Sequence, residues 1–398
     1  MMRYFKCENL FSYYGEEAVL SLMATDCKTN DDFLFDKNGK RLLRVVSIYG
    51  ANASGKSNII KAIRGMLKNI AGSSDGQMEG MPCFLQEVES SQVYKTHITC
   101  EIELLVGDEI YRYKYVINRE RVISEELLKR GYSQNEFVTV FIRSDDLEVF
   151  YNGDNGAISG LVVTAKQSPR NLFLQLICRT DVYPYRDIYE WCKNGLESFV
   201  IPKDDEVRFN DVYDKLDEDS FKVNFSDLVK KFDPTIINIR KSINSNEKTE
   251  KKDIFFERKK VSGEIVGFHI NLESDGTQRL FDFYPSLRNV FEHGGLYLAD
   301  DLDTKLHPWI VRTLVSMFHD PEINVGGAQL IFSTHSTACM NSNDLRLDEL
   351  SFTEKNESGF STIFRLEFDD EEMSGTDVDF GKYYLLGQFG AIPRNMIT

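Results

Sequence analysis

The chain has 398 residues, 42% of them hydrophobic and 28% charged, with a formal net charge of −16. That apolar content supports a sizeable core and excludes a wholly disordered chain; the length suggests two to three domains, or one large core with an inserted lobe. No apolar run approaches the ~18 residues of a membrane span. The opening MMRYFKCENLFSYYGEE lacks the apolar stretch of a secretory signal, and seven cysteines without a CxxC pair argue against a disulfide framework or a zinc site. A soluble cytoplasmic protein is expected.

The alternation of residues 3–23 predicts an opening strand, a turn at Tyr14-Gly15 and a second strand through Val19 to Leu22. Leu42 to Tyr49 reads as one buried strand. It runs into Gly50-Ala51-Asn52-Ala53-Ser54-Gly55-Lys56-Ser57, a complete GxxxxGK[ST] loop, followed by Asn58 and by apolar residues at helical spacing (Ile59, Ile60, Ile63, Met66, Leu67). Glycines let the backbone wrap so that its N–H groups converge on phosphate oxygens, and the helix that follows adds its positive end. Lys56 would reach the β- and γ-phosphates of a nucleotide and Ser57 would ligate Mg²⁺.

Gly72 to Gly80 reads as a loop. Residues 93–163 read as β-rich, with a hairpin around Gly107-Asp108. Helical patterns follow at Asn171–Cys178, Tyr185–Leu196 and Phe225–Phe232, then strand character at Ile236–Ile239 and Ile254–Phe256. A basic run (Lys248, Lys251, Lys252, Arg258, Lys259, Lys260) is interleaved with Glu247, Glu250, Asp253 and Glu257, and reads as a solvated loop and strand edge. Against the overall acidity it makes a poor nucleic-acid surface.

The last third alternates helix and strand. Leu296 to Ala299 is a short apolar strand ending in Asp300-Asp301. Beside a phosphate loop, Asp300 would hold the Mg²⁺ shell through water, and Asp301 would orient or deprotonate an attacking water. Pro308 suits the first turn of the next helix. A third strand, Gln329 to Thr334, ends at His335, placed to sense a γ-phosphate.

These elements, in this order, resemble the ATP-binding-cassette class of P-loop ATPases. Glu273-Ser274-Asp275-Gly276-Thr277-Gln278, ahead of an apolar helix, is similar to that class's signature motif. The resemblance implies that Ser274 and the Gly276 backbone of one subunit cap the γ-phosphate held by another, with Asp303 bridging the sites. Three segments are similar to a narrower group, the SMC/RecF/OLD-like AAA ATPases of prokaryotic anti-phage defence, to which RloA, AbiL and the PARIS ATPase belong. They are the opening Phe5–Ser12, the Leu306-His307-Pro308 triplet, and the closing Tyr384–Pro393.

The fold expected is α/β, a P-loop NTPase of ABC-ATPase type with an antiparallel β subdomain and an inserted helical lobe. Its core would span 1–165 and 261–398, and the lobe 166–260. The resemblance implies an ATP- and Mg²⁺-dependent ATPase that forms an ATP-sandwiched homo-oligomer, is not membrane-bound, and controls a separate effector, a toxin or a nuclease. A phage protein or DNA stays open as a further partner. The group usually has Asp-Glu where this chain has Asp300-Asp301; the shorter side chain implies slow turnover. Gln86 is the candidate to join Mg²⁺ to the lobe, a loop glutamine being the other reading. Other readings of the whole are an SMC/RecF-like DNA-repair or chromosome ATPase, a nucleotide-binding module with little hydrolysis, and a small-molecule kinase.

Overall fold

The computed structural model describes all residues except 28–29, 38, 73–95, 147, 154–155, 181, 183–184, 198–211, 247–248, 367–376 and 393–398. Its organising element is a five-stranded sheet of β5 (Val45–Gly50), β14 (Leu296–Ala299), β15 (Gln329–Ser333), β16 (Leu350–Lys355) and β17 (Ser361–Arg365). The spatial order is β14-β15-β5-β16-β17; the first four are parallel and β17 returns antiparallel. Every residue of β5, β14 and β15 is buried, which is why each reads as a largely apolar run rather than an alternation. The parallel arrangement brings Gly50, Ala299 and Ser333 to the same edge, where the phosphate loop, the acid pair and His335 follow them.

Leu42 to Tyr49 is two strands rather than one. β4 (Lys40–Leu43) pairs with β3 (Leu34–Lys37) in a hairpin, and β5 starts at Val45. Between them the Arg44 carbonyl accepts the N–H of Leu330 at 2.8 Å, so the chain changes sheet at that residue.

A seven-stranded antiparallel sheet has the order β10-β9-β8-β7-β6-β1-β2, from β1 (Met2–Glu8) and β2 (Ala18–Ser21) through β6 (Ile98–Val106), β7 (Glu109–Ile117), β8 (Val122–Gly131) and β9 (Val138–Arg143) to β10 (Val149–Tyr151). The β6–β7 hairpin turns at Gly107-Asp108, as the sequence predicts. The β-rich reading fails at its end. Residues 156–163 belong to the helix α2 (Gly156–Gln167), whose Ile158 and Ala165 are buried. With α1 (Lys56–Ala71), α3 (Phe173–Cys178) and α4 (Tyr185–Glu197), it packs in the same core as β1, β6 and β7.

A buried ion pair pins α3. The Glu125 carboxylate accepts the N–H groups of Phe173 and Leu174, both at 2.7 Å, and the Tyr113 hydroxyl at 2.8 Å. Arg143, fully buried 3.8 Å away, donates to the carbonyls of Asn171 (2.6 Å), Ala165 (3.0 Å) and Ser168 (3.3 Å). Burial pushes the Glu125 pKa up, and the N–H donors and Arg143 oppose it. Arg143→Met would leave a buried carboxylate and three carbonyls without their cation. It is expected to lower stability by about 3–5 kcal/mol, read as a lower urea midpoint at unchanged slope.

Two further cores complete the molecule. On the other face of the parallel sheet, α6 (Asp275–His293), α7 (Pro308–His319) and α8 (Phe380–Leu385) pack Phe283, Leu287, Leu314 and Tyr384 against Leu330 and Phe352. A three-stranded sheet, β11 (Ile236–Asn246), β12 (Thr249–Lys259) and β13 (Ile265–His269), shares a separate core with α5 (Asp219–Phe232). Phe281 and Tyr284 of α6 enter that core, Phe281 meeting Phe225 edge-on at 5.8 Å and Tyr284 stacking on it at 4.7 Å. No helix among the described residues is long and apolar enough to cross a membrane.

Candidate nucleotide site

The phosphate loop leaves β5 and enters α1, so the amides at its end sit at a helix N-terminus. Gly50 (φ 151°) and Gly55 (φ 123°) adopt backbone that side chains rarely take. A Cβ at Gly50 would lie 2.3 Å from the Thr353 carbonyl oxygen, and one at Gly55 would lie 2.6 Å from Ser361 Oγ. Asn52 and Ala53 stand exposed at the tip, with Ala53 left-handed at φ 62°. Ser54 turns inward instead: its Oγ is 2.6 Å from Thr353 Oγ1. Its side chain thus braces the loop, and its backbone is what remains for a ligand.

Lys56 is buried, and its ammonium donates to the carbonyls of Gly50 (2.9 Å) and Ala51 (3.0 Å). Burial lowers its pKa, while Asp301, Asp300 and Asp303 pull it back up. The loop and all three acids therefore share one electrostatic neighbourhood.

Ser333 organises the acids. Its Oγ donates to Asp300 Oδ1 at 2.6 Å and accepts the Asp301 N–H at 2.8 Å, while its carbonyl accepts the Leu302 N–H at 3.0 Å. Asp301 sits at φ 49°, and its Oδ1 lies 3.9 Å from His335 Nε2; both side chains are about half exposed, at 46%. Asp303 Oδ1 accepts the His335 N–H at 3.4 Å. The space beside Asp301 and His335 is therefore open to solvent.

Ser57 is half-buried at the start of α1, and its hydroxyl and the Asp300 carboxylate are hard oxygen donors that suit Mg²⁺. Among the described residues no cluster of three or more His, Cys, Asp or Glu could hold a metal by itself. The donor set therefore fits an ion that completes its shell with phosphate oxygens and water. Gln86 lies outside the described residues.

The signature residues open α6. Ser274 Oγ accepts the Thr277 N–H at 3.2 Å, an N-cap, and Ser274 and Asp275 are exposed. The start of α6 lies against the loop after the acid pair: Lys305 pairs with Asp275 at 3.3 Å, and a Cβ at Gly276 would lie 3.6 Å from the Lys305 carbonyl oxygen. Among the described residues no hydrogen bond or ion pair joins 273–276 to the phosphate loop of the same chain.

Several braces escaped the sequence reading. Ser12 Oγ accepts from Asn58 Nδ2 and from Ser361 Oγ, each at 2.7 Å, so Asn58 faces the protein. The Tyr13 hydroxyl donates to the Gly55 carbonyl at 3.1 Å, and the Ala51 N–H to that of Ala391 at 3.1 Å. Three cations of the basic run are paired with acids from outside it: Lys252 with Asp214 (2.7 Å), Lys260 with Glu264 (2.8 Å), and Arg258 with Asp233 and Glu273. Lys248 lies outside the described residues.

A family model described as "AAA domain, putative AbiEii toxin, Type IV TA system" matches residues 45–341, more than half of the chain. The chain belongs to this AAA family. No curated protein matches it. Among solved structures, the AAA chain is similar to an Smc head bound to the C-winged helix domain of ScpA. The identity is 14% and the TM-score 0.50, over 92% of this chain and 98% of that one. Two others are an Smc head with an extended coiled coil bound to the C-terminal domain of ScpA, from Pyrococcus furiosus (14%, TM-score 0.46, 98% and 99%), and the recombination mediator protein RecF-ATPrS of the RecFOR pathway (11%, TM-score 0.37, 92% and 98%). The first of these shows the fold, that of an Smc head: a phosphate loop on a parallel sheet, with an antiparallel sheet beside it.

Proposed function

We propose that this AAA-family chain is a slow, ATP-hydrolysing switch that pairs head to tail around ATP and governs a separate effector in an anti-phage, abortive-infection system. The observation that carries the reading is a site built on one side only. Lys56, Asp300, Asp301, Asp303 and His335 gather at one sheet edge, while Ser274–Gly276 presents a capped, exposed helix start that makes no bond to its own phosphate loop. A second copy would supply its signature turn to the open side, and the first would do the same in return.

In that pairing Lys56 and His335 meet the charge that develops on the γ-phosphoryl oxygens. Asp301 orients the attacking water and takes its proton. Ser57 and Asp300 would hold Mg²⁺, which when bound would supply positive charge beside the phosphates. Asp303, whose carboxylate accepts the His335 N–H, would bridge to the other site. The short Asp301 side chain favours a long-lived ATP state, which suits a switch better than a motor. The defence role and the separate effector rest on the resemblance of Phe5–Ser12, Leu306–Pro308 and Tyr384–Pro393 to the anti-phage group; the family description, "putative AbiEii toxin, Type IV TA system", supports the toxin–antitoxin setting alone.

Affinity purification of tagged Asp301→Asn from the native host, beside the wild type, tests the regulatory role. A stoichiometric protein partner enriched with Asp301→Asn is expected, and its chemistry would name the effector. A bare dimer, or one carrying only nucleic acid, would contradict the effector role and favour a DNA-repair ATPase.

A further inference from the structure

We infer that Arg258 is a positioning residue that sets the signature turn of α6 and ties it to the lobe of α5 and β11–β13. The inference rests on the ATP-sandwich reading above, in which Ser274 must meet the partner's γ-phosphate.

Arg258 lies on β12 and reaches two separate segments. Its Nη2 donates to Glu273 Oε2 and to Asp233 Oδ2, both at 2.7 Å, its Nη1 donates to Glu273 Oε1, and its Nε donates to Thr235 Oγ1 at 3.0 Å. Glu273 immediately precedes Ser274, and its side chain is only 4% exposed. Its carbonyl also accepts from Gln278 Nε2 at 2.9 Å, so both the side chain and the backbone of the residue before the cap are held. Asp233 and Thr235 lead out of α5 into β11. A forked guanidinium matches a carboxylate in two places at once, and no other side chain does this.

The packing points the same way. Phe281 and Tyr284, in the first turns of α6, lie in the lobe's core with Phe225, Ile239, Ile254 and Phe256. The lobe and the start of α6 are thus joined by a shared core and by one forked ion pair close to Ser274. A push on the lobe would be felt at the signature turn, while the phosphate loop, built on β5 and α1, is anchored elsewhere.

The test separates this role from simple loss of fold. Arg258→Met is expected to lower ATP turnover at least ~10-fold while the affinity of dilute protomers for a fluorescent ATP analogue stays within about twofold. Arg258→Lys should restore only part, because an ammonium cannot serve Asp233 and both Glu273 oxygens together. Mixing then asks which subunit feels the change. Arg258→Met keeps a sound phosphate loop and Lys56→Ala a sound signature, so their mixture should regain about a quarter of wild-type turnover under random pairing. Ser274→Arg mixed with Lys56→Ala is the reference pair.

If that reference pair regains turnover but Arg258→Met keeps wild-type turnover alone, or is not rescued by Lys56→Ala, the inference about Arg258 is overturned. If the reference pair itself stays inactive, the ATP-sandwich reading falls and takes the inference with it. Should Arg258→Met fail to fold, Glu273→Gln, which keeps the side-chain shape and removes the charge, is judged by the same mixing criteria.

Discussion

Lys56→Ala is expected to reduce phosphate release by about 10³-fold, to the background of the assay. The structure says why one side chain carries so much. The Lys56 ammonium lies over the loop between the Gly50 and Ala51 carbonyls, and Asp300, Asp301 and Asp303 all act on it. Without it, an incoming triphosphate would face three carboxylates and lose the one fixed ammonium among them. Both binding and the rate step suffer, so KM should rise and kcat should fall. The bonds from Lys56 to the Gly50 and Ala51 carbonyls are lost, but the braces from Ser54 to Thr353 and from Tyr13 to Gly55 survive, so the protein should still fold, with a modest drop in unfolding midpoint. A Lys56→Ala protein that hydrolysed ATP at the normal rate would remove the site assignment altogether.

Asp301→Asn should separate hydrolysis from binding. Asp301 holds a left-handed backbone conformation that asparagine tolerates, and its N–H bond to Ser333 survives the change. What is lost is the carboxylate 3.9 Å from His335. Turnover should fall by about 10²–10⁴-fold, the usual contribution of a positioned base. ATP affinity should hold or tighten, because Lys56, Ser57 and Asp300 are untouched. Single-turnover phosphate release and equilibrium nucleotide binding together check this; loss of ATP binding in Asp301→Asn would place Asp301 in the binding set instead.

The parts of this site that the sequence reveals are those whose chemistry demands local spacing. Gly50 to Ser57 is one such run. The apolar strands that carry Asp300 and His335 are another, since strands buried on both faces leave largely apolar runs. The braces are invisible for the opposite reason. Ser54 finds Thr353 across 299 residues and Ser361 finds Ser12 across 349, and contacts so distant impose no spacing on the chain. Ser333 falls inside the predicted strand Gln329 to Thr334 with nothing to mark it, although its hydroxyl holds both members of the acid pair. The break at Arg44 was hidden by apolar neighbours on both sides. The start of α2 was hidden by Ile158, Val162 and Val163, whose β-branched side chains suit a strand as readily as a helix. Arg258 read as one of several surface cations because Asp233 and Glu273 come to it from other segments.

The central claim is that the nucleotide site is completed by a second copy of the chain. The most direct measurement is the solution mass of Asp301→Asn by light scattering, with and without saturating ATP and Mg²⁺. The account predicts that ATP doubles the mass, that ADP does not, and that adding Ser274→Arg to the same protein abolishes the doubling while leaving ATP bound. A mass that does not change with ATP, at concentrations where the nucleotide is fully bound, would contradict it.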